Sequence, residues 1–193
     1  LEAQMIKTQQ PLFNKRLRKN RQLCSLQLGD GAPQVVYARD LDFSCSPDLY
    51  GLFRSRFAAL EKLKTIADEQ RLCHGLLGLE RLTPGRGCFR AALKRCAGTC
   101  CGNESLAQHQ QRLRDAMEQM RVVCWPWRGP VGMLEVGAEM TQIHVIDHWF
   151  WLGSVATEAE ARQLQRASSG FDHDGYKILC RPLLSGVFPL IEL

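Results

Sequence analysis

Four cysteines are spaced like a ligand set: Cys73, Cys88 after fourteen residues, Cys96 after seven more, and Cys100 after three. They fall within 28 residues, beside Arg90, Lys94 and Arg95, and make up four of the nine cysteines in the chain. Three chemistries suit such a series. Four thiolates satisfy a tetrahedral zinc ion, although structural zinc sites usually come from two short C-x2-C knuckles and this series has one short gap, C-x3-C. An iron–sulfur cluster also takes four thiolates, is larger than one ion, and accepts ligands from a longer wrap with uneven gaps. The third reading is inert, buried thiols, since cysteine is among the most buried residue types. Cys101, next to Cys100, can compete for one ligand position.

A second feature is cationic. Residues 1–21 carry Lys7, Lys15, Arg16, Arg18, Lys19 and Arg21 against the single acid Glu2, whereas the remaining 172 residues balance 19 basic with 19 acidic. The run KRLRKNR is either a solvated basic loop or a phosphate-binding patch, because closely spaced cations displace counterions from a nucleic-acid backbone. Weaker constellations have structural readings. His144 and His148 lie four apart in a strand-like context and read as partly buried sheet histidines. Asp172, His173 and Asp174 before Gly175 read as an Asp-Gly turn. Trp125, Trp127, Trp149 and Trp151 recur at period two and read as sheet packing rather than as base-stacking platforms.

A chain of 193 residues, 45% hydrophobic and 23% charged, is long enough to bury a core without staples. No apolar stretch approaches the roughly 18 residues of a membrane span, and the N-terminus lacks the order of a signal peptide. Both observations predict a cytoplasmic protein with no membrane partner. In that reducing compartment a cysteine cluster points to metal or redox chemistry rather than disulfides.

These residues need elements to position them. LEAQMIKTQ reads as the end of a helix halted before Pro11, so the chain reads as starting inside an element. Residues 22–28 and 34–38 read as strands joined through Gly29-Asp30-Gly31. Phe57, Leu60, Leu63, Ile66 and Ala67 predict one helix over 54–70, which delivers the chain to Cys73. Leu106, Leu113, Met117 and Met120 predict another, capped by Asn103 or Ser105. Strand-like runs follow at 122–127, 131–136, 141–152 and 175–180. Thr157 and Glu160 form a capping box before a short helix ending near Gly170. The class is α+β, with a small antiparallel sheet and a cysteine-rich helical module followed by a compact antiparallel α+β unit.

The order LEAQMIKTQQPLFN, a short sheet, LYGLF before an amphipathic helix, then Cys, Cys, x7, Cys, x3, Cys resembles the UvrC excision nucleases. KRCAGTCCG, VCWPW, MTQIHVIDHWFWLG and GFDHDGYKILCRPLLSG resemble the shorter, Cho-type members of that family. The resemblance implies that residues 1–21 are the tail of a GIY-YIG nuclease domain, 22–102 a sheet, helix and iron–sulfur module, and 103–193 a C-terminal α+β domain. It implies that Glu2 is catalytic and holds a divalent Mg2+ or Mn2+, as suits a hard carboxylate oxygen. Asn14 ends the same motif and, with Lys15, Arg16, Arg18, Lys19 and Arg21, would face DNA. No GIY-like string occurs in these residues, so on this reading the chain is a portion lacking most of the nuclease site. The resemblance further implies a 4Fe-4S cluster on Cys73, Cys88, Cys96 and Cys100, with a longer first gap than is usual in UvrC. DNA and a UvrB-like protein are the implied partners.

Overall fold

The computed structural model describes residues 22–83, 86–137, 140–166 and 170–193. Glu2, Asn14, Lys15, Arg16, Arg18, Lys19, Arg21 and the helix end expected before Pro11 lie outside the described residues.

Two small antiparallel sheets organise the described residues. In the first, β1 (Cys24–Gln27) lies between β2 (Gln34–Tyr37) and β3 (Leu49–Phe53). Helix α1 (Arg56–Glu69) packs on this sheet, started by Ser55, whose hydroxyl accepts the Ala58 N–H at 3.2 Å. Its buried residues are Ala59, Leu63, Ile66 and Ala67. Phe57 was expected on that stripe but is exposed, because two residues before Ala59 is about 200° around a helix and places it on the solvent side. Helix α2 (Phe89–Ala92) is a single turn. Helix α3 (Leu106–Met117) is capped by Ser105, not Asn103, in a reciprocal capping box with Gln108. Its Leu113 and Met117 join Leu26, Tyr50, Leu63 and Leu72 in the first core.

The second sheet has the order β6-β5-β4-β7, with β4 (Val131–Val136), β5 (Thr141–Asp147), β6 (Phe150–Val155) and β7 (Leu190–Glu192). The run 141–152, expected as one strand, is a hairpin. His148 and Trp149 both take positive φ, 48° and 69°, and Asp147 pairs with Phe150 across them. Positive φ at both central residues matches the twist of a two-residue hairpin.

Two other strand expectations fail. Residues 122–127 form an irregular strap whose backbone donors go elsewhere: Val122 to the Leu49 carbonyl at 2.8 Å, Val123 to the Tyr176 hydroxyl at 3.0 Å, and Trp125 to the Ser44 carbonyl at 2.6 Å. Pro126 has no donor for a ladder. The segment 175–180 is helical, within α5 (His173–Leu184). Tyr176, Leu179, Cys180 and Leu183 fall at i, i+3, i+4 and i+7 and pack together on Trp149 and Val131, so the periodicity is that of a helix. Asp172, expected in an Asp-Gly turn, caps this helix by accepting the Asp174 N–H at 3.2 Å. The capping box of Thr157 and Glu160 does start a helix, α4 (Glu158–Ala161), which ends well before Gly170. Among the described residues no helix is long and apolar enough to cross a membrane.

Candidate metal centre

Between α1 and α3 the backbone turns repeatedly, with only the single turn of α2 and a 3-10 turn as regular structure among the described residues, and each turn places one thiol. Arg71, at φ 51°, ends α1 and directs buried Leu72 and Cys73 inward. Cys88 precedes α2 at its N-cap, and the Glu80 carboxylate accepts the Phe89 N–H at 3.0 Å. Lys94, at φ 58°, ends α2 and returns the chain to Cys96, while the Ala97 N–H bonds the Arg71 carbonyl at 2.9 Å. Gly98 and Gly102, at φ 91° and 76°, bracket a 3-10 turn over Thr99–Cys101 that presents Cys100. A Cβ at Gly98 would stand 2.6 Å from the Asn103 side chain in a backbone region that disfavours side chains, so glycine is required there.

The four Sγ atoms converge to within 4.8 Å of one another. Cys73, Cys88 and Cys96 are buried and Cys100 is partly exposed. Together with Leu76, Leu82 and Ala91 they form their own cluster, separate from the sheet cores. All nine cysteines are free thiols. Two backbone donors point at sulfur: Cys88 N–H to Cys100 Sγ and Gly98 N–H to Cys96 Sγ, each at 3.3 Å. Such donors stabilise sulfur in its charged form.

Burial pushes the Cys73 thiol up to about 11 and Cys88 further in the same direction. Burial acts on Cys100 in the same sense, but the Cys88 N–H and the surrounding thiols outweigh it, and its pKa falls below the ordinary cysteine value. The site thus sets one sulfur that more readily carries charge, Cys100, beside two that burial holds protonated, Cys73 and Cys88. Cation binding at such a set releases protons. Exposed Cys101 lies with its Sγ 3.9 Å from that of Cys100, outside the quartet.

The donor set suits two groups. With Zn–S bonds of about 2.3 Å, a tetrahedral ion sets its sulfurs roughly 3.8 Å apart. A cubane core binds its four thiolates at separated corners and needs a wider tetrahedron. All four donors are soft thiols and suit either group, while the spacing as folded lies nearer that of the single ion.

A supporting residue had no signal in the sequence. His109 of α3 is buried, and its Nε2 accepts the Cys73 N–H at 3.0 Å. Burial lowers its pKa, which keeps the ring neutral and able to accept. Beside it Arg112 pairs with Glu104, which also accepts the Thr99 hydroxyl, so α3 grips both ends of the thiol loop. Replacing His109 with Phe should strand a buried N–H beside Cys73 and speed metal release to a chelator about tenfold, in the range of outer-shell losses. His109→Gln, which keeps an acceptor, should restore much of the retention. Equal release from wild type and the Phe variant would remove His109 from the site.

Among the described residues the other sequence candidates do not assemble into a ligand set. His144 on β5 bonds Ser154 at 2.6 Å and Glu135 at 2.7 Å, whereas His148 in the hairpin turn bonds Asp147 at 2.6 Å. Trp125, Trp127 and Trp149 pack in the second core, and Trp151 is exposed.

Residues 14–119, which contain the quartet and both helices that flank it, match the family model described as the UvrC/Cho excinuclease middle domain. The chain belongs to the UvrC/Cho excinuclease family. A second family model, the excinuclease Cho C-terminal domain, matches residues 130–193. The whole chain is 63% identical to "Excinuclease cho" of Escherichia coli O6:H1 (strain CFT073), 62% to that of strain K12 and 58% to that of Salmonella typhi. It spans 65% of the length of the two Escherichia coli relatives and 66% of the Salmonella one. No solved structure gives a significant match. Within this family assignment, the α+β class with two antiparallel sheets agrees with the sequence expectation.

Proposed function

We propose that this chain is part of a nucleotide-excision-repair endonuclease that hydrolyses a DNA phosphodiester near lesions, and that its thiol quartet carries a 4Fe-4S cluster. The observation that supports the reading is the match to excinuclease Cho along all 193 residues. In this reading residues 1–21 close a GIY-YIG nuclease domain, 22–102 form the sheet, helix and cluster module, and 103–193 form the C-terminal domain. Glu2 binds the catalytic Mg2+ or Mn2+. Asn14, Lys15, Arg16, Arg18, Lys19 and Arg21 track backbone phosphates, and a UvrB-like protein presents the DNA.

Cys73, Cys88, Cys96 and Cys100 hold the cluster, with the N–H groups of Cys88 and Gly98 offsetting charge on its sulfurs. When bound, the cluster supplies structural order or a response to DNA. Hydrolytic incision needs no electron transfer.

A second reading follows from the compact thiol spacing. The chain is then a catalytically inactive DNA- or UvrB-docking module with a structural cluster or zinc, and sulfurs within 4.8 Å suit a single zinc ion.

A nicking assay on damaged duplex with UvrB separates the two readings, and metal analysis of protein purified without oxygen, with its visible spectrum, identifies the bound group. About four irons and four sulfides per chain support the cluster, one zinc supports a structural knuckle, and absence of both overturns the metal centre and leaves the quartet as core thiols. On DNA, about five phosphate contacts by KRLRKNR should give a log–log salt slope near −4.5. A slope near zero removes the DNA role of that run.

A further inference from the structure

The turn that follows Cys88 carries an unusual surface. Residues 71–102 hold six basic side chains against one acid, Glu80, although residues 22–193 balance as a whole. Two of the six are engaged: Arg90 pairs with Asp68 at 2.7 Å, and Arg71 donates to the Lys94 carbonyl at 3.3 Å. Arg86, Lys94 and Arg95 are exposed, and among the described residues no acid pairs with them.

Amid these cations stand two large apolar side chains, Phe89 at 68% exposure and Leu93 at 50%. They lie four residues apart on one helical turn, whose Leu93 N–H reaches the Phe89 carbonyl at 3.3 Å, so they share a face. The base of the turn is held twice, by Cys88 within the thiol centre and by Glu80 on the Phe89 N–H. An apolar pair on a rigid base, flanked by unpaired cations, has the chemistry of proteins that insert a Phe or Leu wedge beside bases while gripping phosphates.

We propose that α2 is a DNA wedge, in which Phe89 and Leu93 lie against an unstacked base while Arg86, Lys94 and Arg95 contact the flanking phosphates. The partner is DNA rather than an apolar protein surface because the charge around the pair complements phosphate. The inference rests on the DNA-repair reading above and adds a contact surface distinct from the basic run at 15–21. It also gives the thiol centre a consequence, since whatever fixes Cys88 fixes the base of the wedge.

The test uses the full, metal-loaded chain and two labelled duplexes, one fully paired and one with a single unpaired 2-aminopurine. Wild type should bind the second more tightly and change its fluorescence. Phe89→Ala should abolish that preference, weakening binding to the unpaired site about tenfold, with unchanged salt slope, metal content and melting temperature, because the ring is exposed. Phe89→Trp should keep the preference. The pair Lys94→Gln and Arg95→Gln should weaken both duplexes alike and flatten the salt slope by about 1.8. If wild type binds DNA and Phe89→Ala keeps the preference, the wedge is overturned while the repair reading stands. If wild type binds neither duplex, the DNA reading falls and the wedge with it.

Discussion

Replacing Cys96 with alanine should strip the protein of stoichiometric metal and unfold the segment from Cys73 to Cys101 while leaving both sheets intact. Cys96 is 6% exposed, and its sulfur receives the Gly98 N–H. Around the thiols the packing is slight: the buried residues of their cluster are Cys73, Cys88 and Cys96, with Leu76, Leu82, Ala91 and Cys100 packed around them, while Leu77 of the same segment packs into the first core. A module with so small an apolar core cannot offset the conformational entropy of its own loops. In the proposed reading a bound metal serves as its core, and structural zinc in small modules contributes about 10–16 kcal/mol.

The measurement is metal content together with hydrogen exchange. Amides of 73–101 should lose protection in the variant, and those of β1, β4 and β5 should keep it. Cys101→Ala is the matched control, since that thiol is exposed and outside the quartet, and it should retain full metal. Full metal in Cys96→Ala, or its loss in Cys101→Ala, would mean that the ligand set has been assigned to the wrong sulfurs.

How much of this was legible in the sequence differs between the site and its supports. The four thiols announce themselves because thiol chemistry at uneven but close spacing has few causes. His109 does not: an isolated histidine on an amphipathic helix looks like any polar residue, and only the return of α3 over the loop brings it to the Cys73 N–H. Phe89 and Leu93 are equally silent, because a one-turn helix has no periodicity to read and exposure is set by tertiary packing.

The fold errors have the same root. Alternation in MTQIHVIDHWFWL reads as one strand because His148 and Trp149 are not turn residues by type, and they hold positive φ only because the hairpin and the packing behind it impose it. GYKILC reads as a strand over six residues, and its helical period shows only once Leu183 is counted. The capping residues Ser105 and Thr157 were legible, since a side chain that satisfies its own helix's N–H groups acts locally.

Trp149→Ala should be the most destabilising single change in the C-terminal half, by about 3–5 kcal/mol as for other buried Trp truncations. Trp149 is fully buried and meets Trp125 edge-to-face at 5.0 Å and Tyr176 at 5.3 Å. It thereby joins the strap at 122–127, the β5–β6 hairpin and α5. Its carbonyl also lies against Gly175, where an added Cβ would come within 2.4 Å, so the helix can approach only through a glycine. Alanine and tryptophan both carry a Cβ, so the cost of positive φ at this position is common to both and the difference reports lost packing.

The indole N–H has no acceptor among the described residues, a burial cost that Trp149→Phe removes. That variant should therefore lose much less stability than the alanine one. Trp151, two residues on and 43% exposed, should lose within about 0.5 kcal/mol when truncated, as surface positions do. Urea unfolding of the three variants measures this directly. Equal losses at 149 and 151 would show that the strap, hairpin and helix are held by something other than this ring.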